Sequence, residues 1–240
     1  MLKASKYKPK IALTNSNRMI ANSLLLQADG LDNYQTRCKR DTVNSRAREK
    51  CLYIPWHDQS AAEKIKTEIG KPYVDVVIMH PSAEGGMPHT RAKNLICIPV
   101  YYPPEKMDSM LEHELIHLEQ RNYFDSWKDK LLNDGWLFMD DKEAQKRIPS
   151  AYLNRCRFNP DTLYCRFPAW EGRYIPLPMF VREDKPDMKE VVIRWWDLEL
   201  EKMRLTPAIS YTKRYGEVSK SEEEHPFEYY AYKGISLFSK

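Results

Sequence analysis

His113-Glu114-Leu115-Ile116-His117 is the segment that most restricts how this chain can fold. On a helix, two imidazoles four residues apart lie one above the other on the same face, close enough to address one ion. Glu114 then stands one residue further round, beside whatever the two rings address. Two neutral nitrogens can hold a zinc ion, and an adjacent carboxylate can take a proton from water whose pKa the ion lowers towards ~7.

The flanking sequence supports that helix. Pro103-Pro104 introduces it, Glu105 and Asp108 suit its positive end, and Met107, Met110, Leu111, Leu115, Ile116 and Leu118 give it an apolar surface, which predicts a helix over Glu105–Asn122. Two stretches before it predict strands: Tyr73–Met79, rich in β-branched residues, and Asn94–Val100, whose Pro99 suits an edge strand or a strand end. The turn-forming Glu84-Gly85-Gly86-Met87-Pro88 separates them.

Helices are also predicted over Asn17–Gln27, over Ser60–Ile69 with Ser60 as cap and Gly70 as stop, over Lys142–Arg147, and from Pro226 to about Ile235. Pro186–Leu205 predicts a helix, although Val191-Val192-Ile193 keeps a strand reading open, and Arg157–Pro178 reads as irregular or short-stranded. The expectation is an α+β fold. A basic arm runs to about residue 10, and one domain covers 11–240, with an N-terminal lobe to about 125 and a mostly helical C-terminal lobe from about 126.

The charge balance excludes little, because a net +4 over 240 residues is too small to imply nucleic acid. The cluster Arg37, Lys39, Arg40, Arg46, Arg48 and Lys50 still makes a nucleic-acid-associated protein one alternative. No stretch approaches the ~20 apolar residues of a membrane helix. Five cysteines without CxxC spacing predict reduced thiols and a cytoplasmic location. Cys156 and Cys165, flanking Asn159-Pro160-Asp161, leave a local disulfide open, and residues 1–28, which lack Asp and Glu, leave organellar targeting open.

The motif and its strand-then-helix setting resemble the zincin metallopeptidase superfamily. That resemblance implies a peptide substrate, a Zn2+ cofactor, Glu114 as general base, and an edge strand (here Asn94–Val100) pairing with the substrate main chain. Such a zinc takes three protein ligands. The metzincin continuation with a third His is absent, since Leu118-Glu119-Gln120-Arg121-Asn122 follows the motif. His225-Pro226-Phe227-Glu228-Tyr229-Tyr230-Ala231-Tyr232 resembles the Glu-ligand helix of gluzincins, which implies Glu228 as third ligand beside His113 and His117. Glu143 and Glu171 remain rival carboxylates. His225 is a further candidate ligand or oxyanion donor, and Tyr215, Tyr229, Tyr230 and Tyr232 are candidate oxyanion donors. Cys97, which a peptide-deformylase-like site would need, lies in a hydrophobic strand without that family's context. A zinc-stabilised interaction protein without catalysis is the remaining alternative, and the intact Glu114 argues against it.

Overall fold

The computed structural model describes residues 14–49, 53–69 and 74–238. The basic arm, Lys50, Cys51, Gly70 and Tyr73 lie outside them. By packing, the chain divides into two compact units, Met1–Leu118 and Glu119–Lys240, with the division falling inside one helix. No described helix is long and apolar enough to cross a membrane.

The first unit runs α1 (Asn15–Asp32), α2 (Tyr34–Arg40), α3 (Thr42–Glu49), β1 (Trp56–His57), α4 (Gln59–Ile69), β2 (Asp75–Met79), β3 (His89–Arg91), β4 (Leu95–Pro99) and the start of α5 (Met107–Asn122). Asp58, not Ser60, caps α4, accepting from the Ala61 amide at 2.9 Å. Among the described residues the sheet has the order β1-β2-β4-β3. Alternation along the strands assigns its two faces. Val76, Ile78, Ile96 and Ile98 pack with α4 and with Met107 and Met110 of α5. Val77, Met79, Leu95 and Cys97 pack with Ala21, Leu25 and Ala28 of α1. Both faces are covered, so β2 and β4 read as unbroken apolar runs.

The expected edge strand is corrected. β4 lies inside the sheet, parallel to β2 and antiparallel to β3. The end position belongs to β3, whose three residues are buried. Pro99 is tolerated because it ends β4, opposite Met79.

Beyond α5, the second unit contains α6 (Phe124–Asn133), β5 (Trp136–Met139), α7 (Asp141–Arg147), α8 (Ser150–Leu153), β6 (Phe167–Trp170), β7 (Tyr174–Phe180), β8 (Val191–Asp197), β9 (Lys202–Arg204), α9 (Ile209–Tyr215), α10 (Lys220–Glu224) and α11 (Pro226–Tyr232). The mostly helical C-terminal half is also corrected: the five strands form one antiparallel sheet in chain order. Pro186–Leu205 is no helix but the β8–β9 hairpin. Trp196 turns into an apolar core with Ile175, Leu177 and Leu198. Trp195, one residue earlier, packs against Tyr211 on the other face, with ring centroids 4.9 Å apart and the rings tilted. That period of two is a strand's signature.

β7 holds two prolines within a sheet, and their spacing explains it. Phe180 donates its amide to Arg155 O at 2.9 Å, and Pro178 O accepts from Arg157 N at 2.7 Å. Even-numbered positions of β7 therefore turn their main chain away from β8. Pro176 and Pro178 fall there, so the β7–β8 ladder loses no donor.

Candidate metal centre

α5 carries the motif. Its Nε2 atoms on His113 and His117 approach to 3.0 Å, with the rings edge to face at 4.6 Å between centroids. His117 and Glu114 are buried and His113 is half-buried. Glu114 has Tyr102 as a neighbour. Burial, reinforced by the Glu114 charge, pushes the Tyr102 phenol above its usual 10.0, so it stays protonated across the neutral range. The sequence reading did not single out Tyr102, because a Tyr next to a Pro-Pro turn carries no local signal.

Two polar residues at the end of α5 engage the segment that carries Glu228. Gln120 donates from Nε2 to the Phe227 carbonyl at 3.0 Å. Glu119 accepts from the Trp127 indole at 3.2 Å and from the Leu237 amide at 2.7 Å, just beyond α11. Both are buried despite their polarity and hydrogen-bonded, as buried polar groups must be.

The ligand atoms of His113, His117 and Glu228 all lie within 4.8 Å of one another, the one such group found among the described residues. The donor set fits zinc, which favours imidazole nitrogen with a carboxylate. The 3.0 Å between the two nitrogens is close to the about 3.3 Å that two nitrogens share on one tetrahedral zinc.

The other sequence candidates lie in different surroundings. Glu143 is in the first turn of α7, with 44% of its side chain exposed and Lys146 Nζ at 3.9 Å. Glu171 is exposed in the β6–β7 turn at φ 53. His225 caps α11: Nδ1 accepts from the Phe227 amide at 3.1 Å, and Nε2 donates to Cys165 O at 2.9 Å. Both nitrogens are thereby committed to one neutral tautomer, which corrects its reading as a ligand or oxyanion donor. Tyr215 accepts from the Trp136 indole at 2.8 Å, and burial pushes its phenol up to about 12. Tyr230 donates to Asp134, Tyr229 packs edge-on against Tyr215, and Tyr232 is exposed.

Cys97 faces α1, on the sheet face opposite α5, so it is no ligand to an ion on that helix. Cys156 and Cys165 are buried thiols that form no disulfide. Within the basic cluster, Arg48 pairs with buried Glu84 at 3.0 Å and lies 5.3 Å over the Tyr34 ring, which removes it from a phosphate-binding face.

Around Glu228 a further set of contacts has no local sequence signal. Asn159 Nδ2 donates to Glu228 Oε1 at 2.8 Å and to Glu224 Oε1 at 3.4 Å. Glu224 is buried and paired with Arg157. Burial raises the Glu224 carboxyl above its usual 4.5 against the pull of Arg157, and the Glu228 charge acts in the same direction as burial. Compared with known families, curated proteins and solved structures, the chain matches no family model, no curated protein and no solved structure.

Proposed function

We propose that this protein is a zinc-dependent peptidase of zincin type. His113, His117 and Glu228 would hold the metal, and Glu114 would serve as general base and then acid. The observation that carries this reading is the convergence of a carboxylate from α11 with two imidazoles from α5, within 4.8 Å. The motif by itself supplies two ligands and a base, and hydrolytic zinc requires a third ligand.

Zinc at these residues would provide a nucleophilic water at neutral pH and polarise the scissile carbonyl. Glu114 would accept a proton from that water and return it to the departing amine. Its burial strengthens its electrostatic interactions, and Tyr102 keeps a protonated hydroxyl nearby. Two histidines and a carboxylate also serve iron(II) oxygenases. A base one residue from the first imidazole has a task in hydrolysis that oxygen chemistry does not require, and this favours the peptidase.

Metal analysis of the purified chain, with cleavage of a fluorogenic protein substrate by wild type and Glu114→Gln, tests the proposal. Both forms are expected to carry zinc, with cleavage about 10²–10⁴-fold lower in the variant. Equal cleavage by the two removes Glu114 from the mechanism. A wild-type chain that takes up no zinc overturns the reading altogether.

A further inference from the structure

We infer that Asn159 is a positioning residue that holds the carboxylate of Glu228 in place for metal binding, an inference that rests on the zinc reading. The amide's orientation is settled by its contacts. Its Oδ1 accepts from the Asp161 main-chain amide at 3.0 Å, which directs Nδ2 towards the two glutamates. An Asn side chain has two N–H groups, and here one serves Glu228 Oε1 at 2.8 Å while the other serves Glu224 Oε1 at 3.4 Å.

The support continues beyond Asn159. Glu224 is paired with Arg157, whose Nη1 donates to the Met188 carbonyl at 2.8 Å. On the other side, Pro160 stiffens the turn and the Thr162 amide donates to Asn159 O at 3.3 Å. Asn159 is thus held by its own turn and by an ion pair, not by Glu228 alone. It gives Glu228 a donor where Glu224 by itself would present like charge.

Donation to Oε1 restrains the Glu228 carboxylate to one orientation. Supporting contacts of this kind change metal affinity by about 10–100-fold when removed.

The test uses the full chain: zinc affinity by competition with a chromogenic chelator, and the visible absorption of the cobalt(II)-substituted protein. Asn159→Ala is expected to weaken zinc binding about 10–100-fold and to alter the cobalt spectrum. Asn159→Asp keeps the shape and the acceptor for Asp161 but replaces the donor with a carboxylate, so it guards against a folding defect and should lose at least as much affinity. Glu228→Ala is the control and should lose more than either. Wild-type affinity and an unaltered cobalt spectrum in Asn159→Asp, with loss in Glu228→Ala, overturn the inference and leave the zinc reading standing. A wild-type chain without zinc, or a Glu228→Ala chain that binds zinc as wild type does, overturns both.

Discussion

Gln120 donates its side-chain amide to the main-chain carbonyl of Phe227 at 3.0 Å, and both residues are buried. One belongs to the helix that carries His117 and the other immediately precedes Glu228. This neutral hydrogen bond joins the start of α11 to the C-terminal end of α5.

Replacing Gln120 with Ala leaves that carbonyl without its side-chain donor, at a cost of about 1–3 kcal/mol. For a chain of this size each kcal/mol lowers the unfolding midpoint by about 2–4 °C. Zinc affinity should fall further than in an equally destabilised variant at Ile175, remote in sequence from His113, His117 and Glu228 and buried in the second sheet's core. Calorimetry with zinc titration checks both, and equal affinities in the two variants would show that the bond does not serve the site.

His225→Ala should cost about 1 kcal/mol through loss of the α11 cap and leave the zinc content unchanged. Asn is a good cap, so His225→Asn should recover much of the stability. Loss of zinc from the Ala variant at undiminished stability would restore His225 as a ligand and contradict the two contacts its ring makes.

Metal removal should abolish cleavage and leave the secondary structure intact. The segment bearing Glu228 is held by Glu119 and Gln120 with or without an ion. Zinc added back should raise the unfolding midpoint with concentration, as expected for a ligand that binds the folded form alone. Collapse of the far-ultraviolet circular dichroism on chelation would show that the ion itself holds the fold.

Acid should weaken the first unit through Asp32. Burial acts to raise its carboxyl, but the hydrogen bonds and charge of Arg91, with the Tyr34 and Ala92 amides, prevail and hold it below 3.8. A depressed carboxyl contributes stability that is present above its unfolded value and lost as pH falls through the folded one. Wild-type stability should therefore decline from about pH 4 downward. Asp32→Asn should flatten that segment while lowering neutral-pH stability by about 3 kcal/mol, because Arg91 is fully buried and Asp29 at 3.4 Å replaces only part of the contact. Denaturant titrations across pH decide it.

What the sequence made legible was local. The motif helix announced itself by spacing, and β2 and β4 by runs of β-branched residues. β4's neighbours could not be read, since its pairing with β3 and β2 depends on chain arriving from elsewhere. The β8–β9 hairpin was hidden for another reason: no Gly, Pro or Asn marks its turn. Asp197 makes it instead, accepting from the Glu199 and Leu200 amides at 3.1 Å, while Glu201 adopts φ 48. The Leu, Glu, Lys and Met that follow Asp197 favour helix in isolation, and the turn at Asp197 with the pairing of Lys202 and Met203 to β8 overrides that preference. At the site, His113, Glu114 and His117 were readable from spacing and Glu228 through a family likeness. Asn159 looks like any residue before a proline, and Gln120 like a polar helix end. Their roles exist only in what they touch.

The alternation of prolines in β7 also bears on what the chain does before it is fully folded. On the side turned away from β8 this strand offers no N–H at 176 or 178, so an unfinished sheet is a poor template for a strand from another molecule along that stretch. The apolar, aromatic-rich segment from Phe167 to Phe180 would otherwise be a ready template for aggregation, and two missing donors suppress it there.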